Sequence, residues 1–114
     1  MKLKVTVLND GKVAILEPKG SLVGGDETDE LRETVNDLLK KDNKKLIVDL
    51  GKVTYMNSTA IGVLVSAHTS YANRGGKVVL CNVNKSINNI FIVTKLSMIF
   101  QIESDRMEAV ASFS

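Results

Sequence analysis

The sequence predicts an α/β fold, a single domain over residues 1–114 built on a mixed, mostly parallel β-sheet with helices packed against it. Two apolar stretches joined by turn residues open the chain, and helical and strand patterns then alternate as αβαβαβα, the order that yields parallel strands linked by helices. A length of 114 residues serves one core rather than two. A content of 44% hydrophobic and 25% charged residues is that of an ordinary globular domain.

Leu3, Val5 and Val7 alternate with Lys4 and Thr6, Asn9-Asp10-Gly11 supplies turn chemistry, and Val13 to Leu16 is a second apolar run, so the chain opens on a hairpin. The more apolar second strand belongs inside the sheet. Pro18 closes it, because proline has no N–H to give the ladder. Gly20-Ser21-Leu22-Val23-Gly24-Gly25 reads as a flexible connection whose glycines let the backbone approach a neighbour. It is not a phosphate loop of known spacing, lacking both G-x-G-x-x-G and a Gly-Lys-Ser/Thr ending.

From Asp26 to about Lys41 the pattern is helical, with Leu31, Val35, Leu38 and Leu39 on one face, acidic residues at the start and lysines at the end, as a helix dipole favours. Leu46 to Leu50 is an almost continuous apolar run, fitting a strand covered on both faces. The segment from Val53 to Met56 is read as the exit of that strand into a helix beginning near Ser58, which carries Ile61, Leu64, Val65, His68 and Ala72 at helical spacing. Gly75-Gly76 ends this helix with a residue able to turn left-handed. Lys77 to Cys81 is another strand. Ser86 is the expected cap of a helix carrying Ile87, Ile90 and Phe91 inward, with Leu96 at its exit. Ile99 to Ile102 forms a last short strand, and Asp105-x-x-Glu108 resembles a capping box before a terminal helix with Met107, Val110 and Ala111.

Asn57, Ser58 and Thr59 stand where a strand hands over to a helix, so their side chains lie near the unpaired N–H groups and the positive end of a helix dipole. That position suits a phosphate. On this pattern alone Ser58 also fits a plain N-cap hydroxyl, and the pattern does not choose between Ser58 and Thr59.

The run from Asp49 through Gly62, Asp-Leu-Gly-Lys-Val-Thr-Tyr-Met-Asn-Ser-Thr-Ala-Ile-Gly, resembles the signature of the STAS domain, specifically of the bacterial anti-sigma factor antagonists. The Gly20-x-Leu22 element, the Gly75-Gly76 turn and the apolar spacing extend the resemblance over nearly the whole chain. Asn57 stands where many members carry aspartate, Thr59-Ala60 replace Ser-Gly, and Val23 follows Leu22 where aspartate is common. The resemblance implies that Ser58 is the phosphoacceptor, with Thr59 the alternative. It implies a non-enzymatic binding module whose unphosphorylated form holds an anti-sigma factor, itself a serine kinase, and frees a sigma factor, with a serine phosphatase resetting it; the alternation of Met1 to Val5 makes a cytoplasmic location the expectation. The alternative is a STAS scaffold or sensor-complex subunit without a sigma factor downstream. No cofactor is implied, and the free protein is expected to be a monomer.

The expected contact surface is the edge where strands hand over to helices. It takes Gly20, Leu22, Gly24 and Gly25 from the first connection, Met56, Asn57, Ser58, Thr59, Ala60 and Ile61 from the helix start, and Asn82 after the strand ending at Cys81.

Other chemistries are disfavoured by composition. A net charge of +2, two Tyr, three Phe and no Trp give nucleic acid neither a basic footprint nor stacking surfaces. Met1 to Val5 alternate polar and apolar residues, which is neither a signal peptide nor a membrane span. One Cys and one His cannot build a zinc centre. A single helix would put His68 roughly 15 Å beyond Ser58, too far to serve as its base, so a small hydrolase is the weakest reading. His68 is expected as a core or rim residue, and Cys81 as inert packing on a buried strand.

Overall fold

The computed structural model describes residues 3–9 and 11–113. Strands β1 (Lys4–Leu8) and β2 (Val13–Glu17) form the expected antiparallel hairpin, with Val5 opposite Leu16 and Val7 opposite Ala14. Asn9 and Gly11 both take positive φ in its turn, and Lys12 N–H closes it on the Asn9 carbonyl at 3.2 Å. Asp10, the middle of that predicted turn, lies outside the described residues.

The principal sheet has five strands in the order β1-β2-β4-β6-β7, where β4 is Lys45–Asp49, β6 is Lys77–Cys81 and β7 is Gln101–Glu103. All pairings after the hairpin are parallel. Helices α1 (Asp26–Lys40), α2 (Ser58–Asn73) and α3 (Lys85–Val93) link the strands, and α4 (Arg106–Ala111) ends the chain. The mixed, mostly parallel sheet is therefore as the alternation predicts.

Alternation along the central strands sorts side chains between two layers. Ala14, Leu16, Leu46, Val48, Val78 and Leu80 join the main core with the buried faces of α1, α2 and α3. Val13, Ile15, Ile47, Val79 and Cys81 point the other way and are covered by Ala109 of α4, with Val110 and Phe113 beside it. The terminal helix thus buries Ala109 and leaves Met107 and Ala111 exposed, one step round from the predicted face. On α2 the buried residues are Ala60, Val63, Leu64, Ala67 and Tyr71, whereas Ile61, Val65 and His68 sit at the margin and Ala72 is exposed. The polar-looking Tyr71 is fully buried because its hydroxyl donates to Asn43 Oδ1 at 2.7 Å. The cap of α3 is Asn84, accepting from Ile87 N–H at 2.8 Å, and not Ser86, so that helix starts earlier than predicted.

The larger correction is a second sheet. Lys19–Leu22, read as part of a loop, is strand β3, and Lys52–Met56, read as the exit of the central strand, is strand β5; the two pair in parallel and are separate from the principal sheet. Pro18 does end β2, but the chain extends again immediately after it. The register slips between Gly20 and Ser21, where Gly20 takes a φ of +84° that a residue with a Cβ rarely adopts. Gly76 carries a different demand: a Cβ there would stand 2.6 Å from the Lys44 carbonyl oxygen, so only glycine lets the α2–β6 turn close onto the start of β4.

Candidate functional site

Asn57 organises the start of α2. Its extended backbone marks the N-cap, its Oδ1 accepts from Ala60 N–H at 3.2 Å, and its backbone N–H donates to the Leu22 carbonyl at 3.0 Å. Its Nδ2 donates to the Val23 carbonyl at 2.9 Å. One side chain therefore caps the helix and clasps the β3–α1 connection. Because Asn57 is the cap, Ser58 is not the capping hydroxyl that local pattern allowed.

Ser58 is the first residue of α2 and is exposed, and none of the described hydrogen bonds uses its side chain. The first turn carries no acidic residue, so the positive end of the α2 dipole meets no negative side chain of its own helix. Thr59 is also exposed, but its side chain packs against the backbone of Gly24: a Cβ at Gly24 would lie 3.5 to 3.7 Å from three Thr59 side-chain atoms. Gly24 has a φ of +91°, and its N–H donates to the hydroxyl of Thr28 at 2.9 Å, which fixes the loop before α1. Gly25 is the N-cap of α1.

The expected contact residues therefore divide by depth. Asn57, Ser58, Thr59, Gly24 and Gly25 come together at the surface, with Gly20 at the start of the same connection and Ile61 half-buried behind. Leu22, Met56 and Ala60 are at most 1% exposed and form the floor beneath them. Two residues outside the expected contact set, Val23 and Tyr55, are about half exposed beside this surface, on the connection and on β5. Val23 and Tyr55 each stand next to a buried residue, Leu22 and Met56, and it is the pairing of β3 with β5 that sets them at this surface. From Thr59 a groove of about 220 Å³ runs between α1 and α2, with Arg32, Asn36 and Ser66 on its walls.

Asn82 belongs to another cluster. Its Nδ2 donates to Asp49 Oδ1 at 3.1 Å, an oxygen that also accepts from Gly51 N–H at 3.0 Å, while Arg106 donates to Asp49 Oδ2 through Nε at 3.1 Å and Nη2 at 2.9 Å. Arg106 Nη2 also lies 3.4 Å from Glu17 Oε2. Burial pushes the Asp49 carboxyl up, but the bonds from Gly51, Asn82 and Arg106 outweigh it and hold the group below the ordinary carboxylate value. Cys81, buried and close to the Asp49 charge, has its thiol pushed up to about 12, which leaves it without thiolate character.

His68 sets its ring edge-on to Phe100, with centroids 6.1 Å apart, on the margin of the core. Ser58 thus has no general base from that residue. Accepting a phosphoryl group requires none, since a kinase brings its own base and needs only an accessible hydroxyl. Among the described residues no helix is long and apolar enough to cross a membrane, and no group of three or more His, Cys, Asp or Glu is placed to hold a metal ion.

A family model described as STAS domain matches residues 4–109. The anti-sigma-B factor antagonist of Listeria monocytogenes is 32% identical over 75 residues, which are 66% of this chain and 66% of that protein. The crystal structure of a Thermotoga maritima protein superposes with a TM-score of 0.88 at 25% identity, covering 96% of this chain and 92% of its own. The Bacillus cell fate determinant SpoIIAA, in its phosphorylated form, superposes with a TM-score of 0.78 over 99% of this chain and 100% of its own at 12% identity, a likeness of fold.

Proposed function

The chain belongs to the STAS domain family, and from that premise we propose that it is an anti-sigma factor antagonist, a cytoplasmic binding module switched by phosphorylation of Ser58. The unphosphorylated form binds an anti-sigma factor that is also a serine kinase, and so releases a sigma factor. The kinase phosphorylates Ser58, and a serine phosphatase reverses the step. The relative from Listeria monocytogenes, named an anti-sigma-B factor antagonist, supports the partner class.

One observation carries the choice of residue. The Ser58 hydroxyl is exposed and outside the described hydrogen bonds, while the cap of α2 is supplied by Asn57. A phosphate can therefore be added to Ser58 without removing the cap, whereas on Thr59 it would have to grow from a side chain packed against Gly24. The phosphate brings about 1.5 to 2 negative charges, which a helix N-terminus tolerates and a partner surface shaped to a neutral hydroxyl does not. Desolvating that charge without a counter-charge costs several kcal/mol, and ~2.7 kcal/mol already weakens binding about a hundredfold. Asn57 adds no charge of its own, so the phosphate supplies nearly the whole local change.

The test incubates the protein with its kinase and ATP and maps the product by mass spectrometry. Phosphate on Ser58, together with at least a hundredfold weaker partner binding by Ser58→Glu at a near-normal melting temperature, is the expected result. Phosphate found only on Thr59, or full binding by Ser58→Glu, would overturn the reading.

A further inference from the structure

We propose that the groove between the β1–β2 hairpin and the end of α1 binds a free medium-chain carboxylate, an anionic amphiphile whose alkyl chain lies on the sheet and whose head group meets a rim of lysines. The groove encloses about 480 Å³, inside the range of roughly 300–1,000 Å³ typical of small-ligand sites. Its floor is Val5 and Val7 of β1, Ala14 of β2 and Leu38 of α1. Val5 and Val7 are 45% and 51% exposed although their cross-strand partners Leu16 and Ala14 are buried, so the core face of the sheet continues uncovered at this edge.

The rim supplies the charge. Lys12, Lys41 and Lys45 line the groove and, among the described residues, form no ion pair. The nearby carboxylate of Asp42 is already engaged by Lys44 at 2.6 Å. The wall is fixed in advance: Asn43 Nδ2 donates to the Lys12 carbonyl at 3.2 Å and Asn43 Oδ1 accepts from the buried Tyr71 hydroxyl at 2.7 Å. The hairpin tip, the α1–β4 turn and α2 are thus tied together around the opening. An apolar floor with a cationic rim selects an amphipathic anion, and it disfavours a second copy of this chain, which would bring the same lysines face to face.

The experiment titrates the full chain with sodium decanoate and follows amide shifts by NMR, with decanol and decyltrimethylammonium as parallel probes. The expected result is saturable shifts at Val5, Val7, Ala14 and Leu38 with decanoate, and at least tenfold weaker binding by the other two probes. The double variant Lys41→Glu, Lys45→Glu should weaken decanoate at least tenfold while its remaining spectrum overlays that of the parent. Should that variant not fold, the three probes on the unaltered protein decide alone. Equal binding of decyltrimethylammonium, decanoate shifts centred elsewhere, or binding to phosphatidylglycerol vesicles without binding of decanoate would each overturn the assignment.

Discussion

Asp49 and Ser58 stand in one short stretch of sequence, yet the fold treats them in opposite ways. Asp49 is a charge taken out of water, its side chain 6% exposed, and it is matched by donors from Gly51, Asn82 and Arg106. Ser58 is a neutral hydroxyl left in water beside a cap that another residue provides. A buried carboxylate without partners costs several kcal/mol, so the chain surrounds it and fixes α4 to the sheet in doing so. An exposed hydroxyl costs almost nothing, so the chain can leave it available to another protein. Within one signature the aspartate belongs to folding, and we assign the serine to signalling.

Arg106→Leu should produce the largest change in stability, a loss of about 2–3 kcal/mol by denaturant unfolding. That is below the full cost of orphaning a buried charge because Gly51 and Asn82 still bond the carboxylate. Partner binding by the folded protein should be unaltered, and a parallel loss of affinity would join the two regions that the structure separates.

Asp49→Asn comes next, at about 1.5–2 kcal/mol near neutral pH, the worth of hydrogen bonds to a charged group. Its pH dependence has a definite sign. The folded carboxyl is held below its unfolded value, so its contribution is present above a pH of about 4 and is lost as pH falls through the folded value. Unfolding curves of variant and parent should therefore converge in acid, and a difference that persists at low pH would count against a charge-based role.

Asn57→Asp probes the other region more gently. The new carboxyl can still accept from Ala60 N–H and gains from the helix dipole, but it cannot donate to Val23 and sets oxygen against oxygen across 2.9 Å. We expect a net loss of about 1 kcal/mol and faster amide exchange at Val23 to Gly25, both relieved in acid as the carboxyl becomes a donor. Unchanged exchange there would remove the clasp from the description. Ser58→Ala should be the smallest effect, within ~0.5 kcal/mol of the parent, since no described bond is lost. A larger cost would mean that Ser58 is structural after all.

What the sequence determined by itself is what short-range periodicity and capping chemistry decide. The hairpin, α1, the β4 and β6 runs, α2 beginning at Ser58 and the Asp105 cap of α4, accepting from Glu108 N–H at 2.9 Å, all follow from residues within a few positions of one another. The tertiary structure decided whatever depends on a distant partner. Lys19–Leu22 is short and polar, and Lys52–Met56 follows β4 so closely that it reads as that strand's exit; each is a strand of a separate sheet because the other satisfies its backbone. Asn84 displaced Ser86 as the cap of α3 because its Nδ2 also reaches the Val53 carbonyl at 3.0 Å, and a nearest-neighbour reading contains no such reach. The clasp of Asn57 on Val23 and the grip of Arg106 on Asp49 are likewise long-range contacts. The sequence set Ser58 at the start of α2, and only the packing of the β3–α1 connection against α2 covers one side of Thr59 while the Ser58 side chain stays exposed.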